Sequence, residues 1–332
     1  MLRHLLTTAD LTANDLRRLL ALSGEFKRDP YRSRSLIAGD SVVLFFNKPS
    51  TRTRISFETA VGRLGGVPVS VGPAELQLGR GETIEDSARV ISRYARAFVI
   101  RTFKDEDVER FACAATIPVI NALTDGHHPC QSVADLMTLH ERKGDLCECK
   151  IAYVGDGNNV AHSLMEAAAI AGLEIVVATP EHYRPDATIV ARAQEIASDA
   201  GGRVEIVENP VEAVRDADAV YTDTWLSMGH AESERAERLA AFAPYQVNQK
   251  LMAHAKRDAI FMHCLPQHRG EEVTAEVVGD VGEEDREVVA AVIEDGAEGA
   301  APRAQAREDD INEAIKLVSD LKGVAGALVV DP

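Results

Sequence analysis

The chain has 332 residues, 45% of them hydrophobic and 27% charged, which is the balance of a soluble globular protein long enough for about two domains. A formal charge of -17 argues against non-specific nucleic-acid binding, and no apolar run approaches the roughly 20 residues that span a bilayer. Five scattered cysteines form no disulfide framework and the first residues carry no signal-peptide pattern, so the expected location is the cytoplasm.

In chain order, the first strong element is an apolar strand over 42–46. It runs into Asn47-Lys48-Pro49-Ser50-Thr51-Arg52-Thr53-Arg54, and a helical pattern starts at Ile55. This turn carries three hydroxyls and two guanidinium groups within five residues. Free N–H groups at a helix start and bidentate arginines suit a phosphate; the alternative is a Ser/Thr cap with surface arginines. A strand over 67–71 follows, then a Gly-rich loop over 75–82 that contains Gln77, then a helix over 84–94. A strand over 98–101 ends at Arg101, which can donate to a carbonyl or phosphate oxygen or can serve as an ion-pair partner. After a strand over 119–121 comes His127-His128-Pro129-Cys130-Gln131, then a helix over 131–142. His128 suits developing negative charge and Gln131 an amide. A zinc reading with His127, Cys130, Cys147 and Cys149 matches no common ligand spacing. The domain boundary is expected near 140.

A second alternation begins with a strand over 151–154 and Gly155-Asp156-Gly157-Asn158-Asn159. This resembles the start of a dinucleotide fingerprint but lacks its third glycine; the paired amides instead suit a carboxylate or amino group. Strands are expected over 174–178, 204–207, 219–221 and 259–262, with a helix over 186–200. Asp223 follows the third of these strands and can pair with an ammonium group or cap a helix. His263-Cys264-Leu265-Pro266 follows the fourth. Cys264 reads as a nucleophile, as a group that positions an amine, or as a buried structural thiol. Alternating strands and helices predict parallel sheets, in which ligands gather beyond the carboxyl ends of the strands.

Taken together and in this order, Ser50–Arg54, His128-Pro129-Cys130-Gln131, Asp223 with Ser227-Met228-Gly229, and His263–Pro266 resemble the aspartate/ornithine carbamoyltransferase family from about residue 2 to about residue 277. The Asp223 and Ser227-Met228-Gly229 pattern resembles the ornithine-using members. The resemblance implies an α/β fold of two doubly wound parallel-sheet domains with the active site in the cleft between them. The domains would be 1–140, binding carbamoyl phosphate, and 141–304, binding ornithine. It implies transfer of a carbamoyl group to the δ-amine of L-ornithine, giving citrulline and phosphate in arginine biosynthesis or catabolism. No cofactor and no metal are implied, and the working unit would be a homotrimer or a multiple of trimers.

Carried over by the same resemblance, Ser50, Thr51, Arg52 and Thr53 would hold the phosphate, with Gln77 reaching it from a neighbouring copy. Arg101, His128 and Gln131 would bind the carbamoyl carbonyl and amide. Cys264 and Leu265 would line the reacting centre, and Asn159, Asp223, Ser227 and Met228 would hold ornithine. Arg101, His128 and Cys264 are the catalytic candidates. The likeness breaks at 279–287 and again at 297–305, where the family closes with an arginine-bearing helix. Arg303 is the nearest counterpart of that arginine, and a helix at about 305–325 would pack back on the first domain.

Overall fold

The computed structural model describes residues 4–77, 81–226, 232–278 and 289–290. Among them, contacts gather into two compact units, one within Met1–Ala134 and one within Asp135–Val292. The division falls inside the helix Pro129–Lys143 rather than at its end. Pro129 opens that helix, where its fixed φ is already helical and its missing N–H costs nothing. The expected helix at 305–325 lies outside the described residues.

In the first unit four parallel strands, β1 (Ser41–Phe46), β2 (Val67–Val71), β3 (Ala97–Arg101) and β4 (Val119–Leu123), lie in the order β2-β1-β3-β4. β3 is buried along its whole length, as a central parallel strand covered on both faces must be. Phe98 stacks on Phe111 with ring centroids 3.9 Å apart, joining β3 to the helix Asp105–Ala114. The helix expected over 84–94 spans Ile84–Ile91, because the Ser92 hydroxyl donates to the Ala88 carbonyl at 2.7 Å and closes its last turn.

The second unit holds six parallel strands: β5 (Lys150–Val154), β6 (Glu174–Ala178), β7 (Arg203–Val207), β8 (Ala219–Thr222), β9 (Ile260–His263) and the two-residue β10 (Val289–Ala290). Their order is β10-β9-β8-β5-β6-β7. The Ala-rich helix Asn159–Ala171 is buried on nearly every face, and its short side chains let neighbouring elements approach closely. No described helix is long and apolar enough to cross a membrane.

Both sheets reverse direction at their middle. In the first the chain winds outward both ways from β1 and β3; in the second it does so from β5 and β8. Each such switch point opens a crevice at the carboxyl ends of its two strands. The polar clusters singled out in the sequence occupy those two places.

Candidate active site

At the first switch point, the register pairs Phe46 with Arg101, so the turn after β1 and the end of β3 lie side by side. The helix Arg52–Arg63 begins at the turn, presenting free N–H groups beside Ser50, Thr51, Arg52 and Thr53. Thr51 and Arg52 are exposed, whereas Arg101 is buried at 5% exposure and donates from its guanidinium to the Thr53 hydroxyl at 3.4 Å. His128 sits in the loop after β4, with Nδ1 out of contact with solvent. Burial first, and the nearby Arg101 charge second, lower its pKa to about 3. The imidazole is therefore neutral at physiological pH and can donate an N–H without adding charge. Asp105 organises this loop by accepting from Thr124, from the backbone of Gly126 and from His127 Nδ1, the last at 2.9 Å. Gln131 lies in the first turn of the following helix, and Gln77 is exposed.

Beside the second switch point, register aligns the ends of β8 and β9. Thr222 of β8 pairs with His263 of β9, so the next residues, Asp223 and Cys264, emerge together from adjacent strands. Cys264 Sγ donates to Asp223 Oδ1 at 3.0 Å, and the Thr224 backbone N–H donates to the same oxygen at 2.7 Å. Burial, followed by the Asp223 charge, pushes the Cys264 thiol well above its ordinary pKa. It stays protonated and acts as a donor, which removes the thiolate nucleophile reading.

Asn158 is an amide wired into this cluster. Its Oδ1 caps the helix Asn159–Ala171 by accepting from Val160 and Ala161, and its Nδ2 donates to Asp223 Oδ2 at 2.7 Å. Asn159 is the first residue of that helix and partly exposed. The chain must turn tightly to place these amides. Gly155 has φ +144°, and a Cβ on Gly157 would come within 2.3 Å of the Pro185 nitrogen.

Supporting residues missed by sequence reasoning complete the centre. Glu272, fully buried, accepts from His263 Nε2 at 3.3 Å, and His263 Nδ1 accepts from the Leu265 N–H at 2.9 Å. Leu265 is thereby held at φ +56°, a conformation unusual for a leucine and one that persists only when its surroundings impose it. Arg238, buried, pairs with Asp156, donates to the Trp225 carbonyl at 2.6 Å and lies over the Tyr183 ring. Burial raises the Asp156 carboxyl to about 6 against the pull of Arg238. The signal for Glu272 was its place nine residues beyond His263 in a polar loop; Arg238 carried no local signal at all. Ser227, Met228 and Arg303 lie outside the described residues.

Asp223, His263 and Cys264 bring potential metal-ligand atoms within 4.8 Å of one another, as do His268, Glu271 and Glu272. Each set is engaged in hydrogen bonds or ion pairs of its own. A cleft of 650 Å³ at the opposite ends of β5–β7 is lined by Cys147, Cys149, Glu174, Asp218 and other residues. Its Lys150, Arg203 and Lys256 are paired with acids of the same cleft.

Comparison with known proteins assigns the chain to a family. Residues 3–141 match the carbamoyl-P binding domain of aspartate/ornithine carbamoyltransferases, and residues 147–294 match the Asp/Orn binding domain. The chain belongs to the aspartate/ornithine carbamoyltransferase family. It is 52% identical over 278 residues to an ornithine carbamoyltransferase of Acidothermus cellulolyticus, covering 84% of this chain and 89% of that one. It is 50% identical over 281 residues to the anabolic ornithine carbamoyltransferase of Pyrococcus furiosus, covering 83% and 88%. The solved ornithine carbamoyltransferase of Pyrococcus furiosus superposes with a TM-score of 0.82 at 42% identity, covering 99% of this chain and 96% of that one. As a carbamoyltransferase-family fold, the chain carries the two parallel-sheet α/β units expected of it. The cationic crevice lies in the part that matches the carbamoyl-P binding domain, and the Asp223 crevice in the part that matches the Asp/Orn binding domain.

Proposed function

We propose that this enzyme transfers the carbamoyl group of carbamoyl phosphate to the δ-amine of L-ornithine, giving L-citrulline and phosphate. The observation that carries the reading is the pairing, in one chain, of a switch point suited to a phosphate with one built around a buried carboxylate suited to an ammonium group. The chain's identity of about one half to curated ornithine carbamoyltransferases supports it.

In this reading the phosphate rests on the N-terminus of the helix Arg52–Arg63, held by Ser50, Thr51, Arg52 and Thr53, with Gln77 reaching in from a neighbouring copy. Arg101, neutral His128 and Gln131 hold the carbamoyl oxygen and amide. Arg303 is the proposed tail contribution. Asp223, fixed by Asn158 and Cys264, receives the α-ammonium of ornithine; Asn159, Ser227 and Met228 complete the amino-acid subsite. Cys264 and Leu265 border the reacting carbon. The neutral δ-amine forms the new N–C bond, and the electron pair of the carbonyl moves to oxygen beside Arg101, Thr53 and His128. The C–O bond to phosphate then breaks, and the amine's surplus proton leaves with the phosphate. Near pH 7 only about one free ornithine side chain in a thousand is neutral, judged from a lysine-like pKa of roughly 10.4. Desolvation beside cations lowers that pKa, so positioning and fixed charge supply the acceleration.

The five cysteines are free, which suits a reducing compartment, and we place the activity in the cytoplasm. A homotrimer is the proposed assembly. Val67 and Val69 of edge strand β2 and Ile55 of the neighbouring helix are exposed apolar residues that a second copy would cover. The deciding experiment measures citrulline formed from carbamoyl phosphate with ornithine, putrescine, acetylornithine or aspartate. Turnover of another amine and none of ornithine would replace the substrate.

A further inference from the structure

Three loops meet at the first switch point: the turn after β1 that carries Ser50–Thr53, the end of β3 that carries Arg101, and the loop after β4 that carries His128. β1 and β4 do not touch, because β3 lies between them. Backbone bonds lace neighbours only: Asn47 N–H to the Arg101 carbonyl at 2.8 Å, and Asp125 N–H to the Phe103 carbonyl at 2.7 Å. Lys48 reaches across the gap. Its ammonium pairs with Asp125 and sits 4.7 Å from the centroid of the Phe103 ring. One side chain thus touches the loop after β3 and the loop after β4 while belonging to the loop after β1.

Its burial separates this contact from an ordinary surface pair. The Lys48 side chain is 5% exposed although Asp125 is 62% exposed. A buried lysine gives up hydration and side-chain freedom, and an aromatic face plus a carboxylate offset part of that loss. Asp125 also neutralises the ammonium, so the pair adds little net charge to the phosphate crevice. What it supplies is a distance. Lys48 stands two residues before Ser50, and Asp125 three before His128.

We propose that Lys48 is a positioning residue that bridges β3 and sets the spacing between the phosphate turn and His128. The proposal rests on the carbamoyl-phosphate reading of that crevice. It acts through Ser50–Thr53 and His128 rather than by touching substrate. Misplacing reacting groups by about 1 Å can cost on the order of a hundredfold.

The test compares the full-length enzyme with Lys48→Gln, Lys48→Arg, Asp125→Asn and the Lys48→Gln/Asp125→Asn double variant. Steady-state kinetics are measured in each substrate, together with thermal melting with and without carbamoyl phosphate. The expected result for Lys48→Gln is a rise of about tenfold or more in KM for carbamoyl phosphate, with KM for ornithine within about twofold. Asp125→Asn shifts the same parameter, the double variant is no worse than the poorer single one, and Lys48→Arg recovers part of the loss. Unchanged kinetics in Lys48→Gln, equal loss for both substrates, or additive single effects would overturn the proposal. If Lys48→Gln does not fold, Asp125→Asn decides, since that side chain is largely in solvent. An inactive parent enzyme would instead strike at the functional reading, because every variant is scored against it.

Discussion

His128 and Cys264 show how burial sets the chemistry of single residues. An imidazole ordinarily titrates near 6.5, but His128 holds to about 3 in the native state, through burial and then Arg101. Between those values the unfolded chain binds a proton that the native chain does not, so this residue's contribution to stability falls as pH is lowered through the window. Asp156, raised to about 6 by burial, works in the opposite sense between 3.8 and 6. The comparison is therefore made against a variant. Urea unfolding from pH 7 to 4.5 should show a steeper loss in the parent than in His128→Asn, and parallel losses would remove His128 as the source. At the Asp223 crevice, Cys264→Ala takes a donor from a buried carboxylate, worth about 1–3 kcal/mol. KM for ornithine should rise by roughly tenfold or more, and by less in Cys264→Ser, whose hydroxyl still donates. Equal values for the two variants would show that hydrogen bonding is not what the thiol contributes. Arg52→Ala should abolish binding of carbamoyl phosphate, read by calorimetry, while leaving the circular dichroism spectrum in place; unaltered affinity would contradict its role.

Elements matter through the turns that aim them. The loop between β5 and the helix Asn159–Ala171 has no room for a side chain at Gly157, where a Cβ would fall 2.3 Å from a backbone nitrogen. Gly157→Ala must displace the loop and draw Asn158 away from Asp223, so both the melting temperature and ornithine affinity should fall. Gly24 is the opposite case. It lies inside the helix Ala13–Arg28, and the nearest atom to a Cβ there is the end of the Arg28 side chain at 3.6 Å. Gly24→Ala should stabilise the helix by about 0.5–1 kcal/mol and raise the melting temperature by a few degrees with activity unchanged. A lower melting temperature for Gly24→Ala, or an unperturbed Gly157→Ala, would show that these backbone positions are misjudged.

At the scale of the whole molecule, association and charge are the open physical quantities. With Val67 and Val69 exposed on an edge strand, light scattering should return about three chain masses, and Val67→Glu with Val69→Glu should lower that mass. A monomeric parent enzyme with full activity would end the proposal that Gln77 serves a neighbour's site. A formal charge of -17 also repels an anionic substrate at long range, so added salt should raise the rate of carbamoyl-phosphate association.

Much of this architecture was written in the order of residues. β6 appears over Glu174–Ala178 as expected, because an Ile-Val-Val-Ala run in a parallel sheet is apolar on both faces and announces itself. Arg101, Asp223 and Cys264 could be picked out because a polar residue at or directly after the end of such a run sits at a strand's carboxyl end, and His128 because it stands in a polar cluster where a helix opens. β10 could not, being two residues in an acidic tail. Nor could the partners of the site: Asn158 meets Asp223 across 65 positions, Lys48 meets Asp125 across 77, and Arg238 meets Asp156 across 82. Strands, turns and chemical type follow from local periodicity and backbone preference, which a linear chain displays. Which carboxylate finds which donor, and which histidine stays uncharged, depends on strand order and on how much water the folded units exclude, and those exist only in three dimensions.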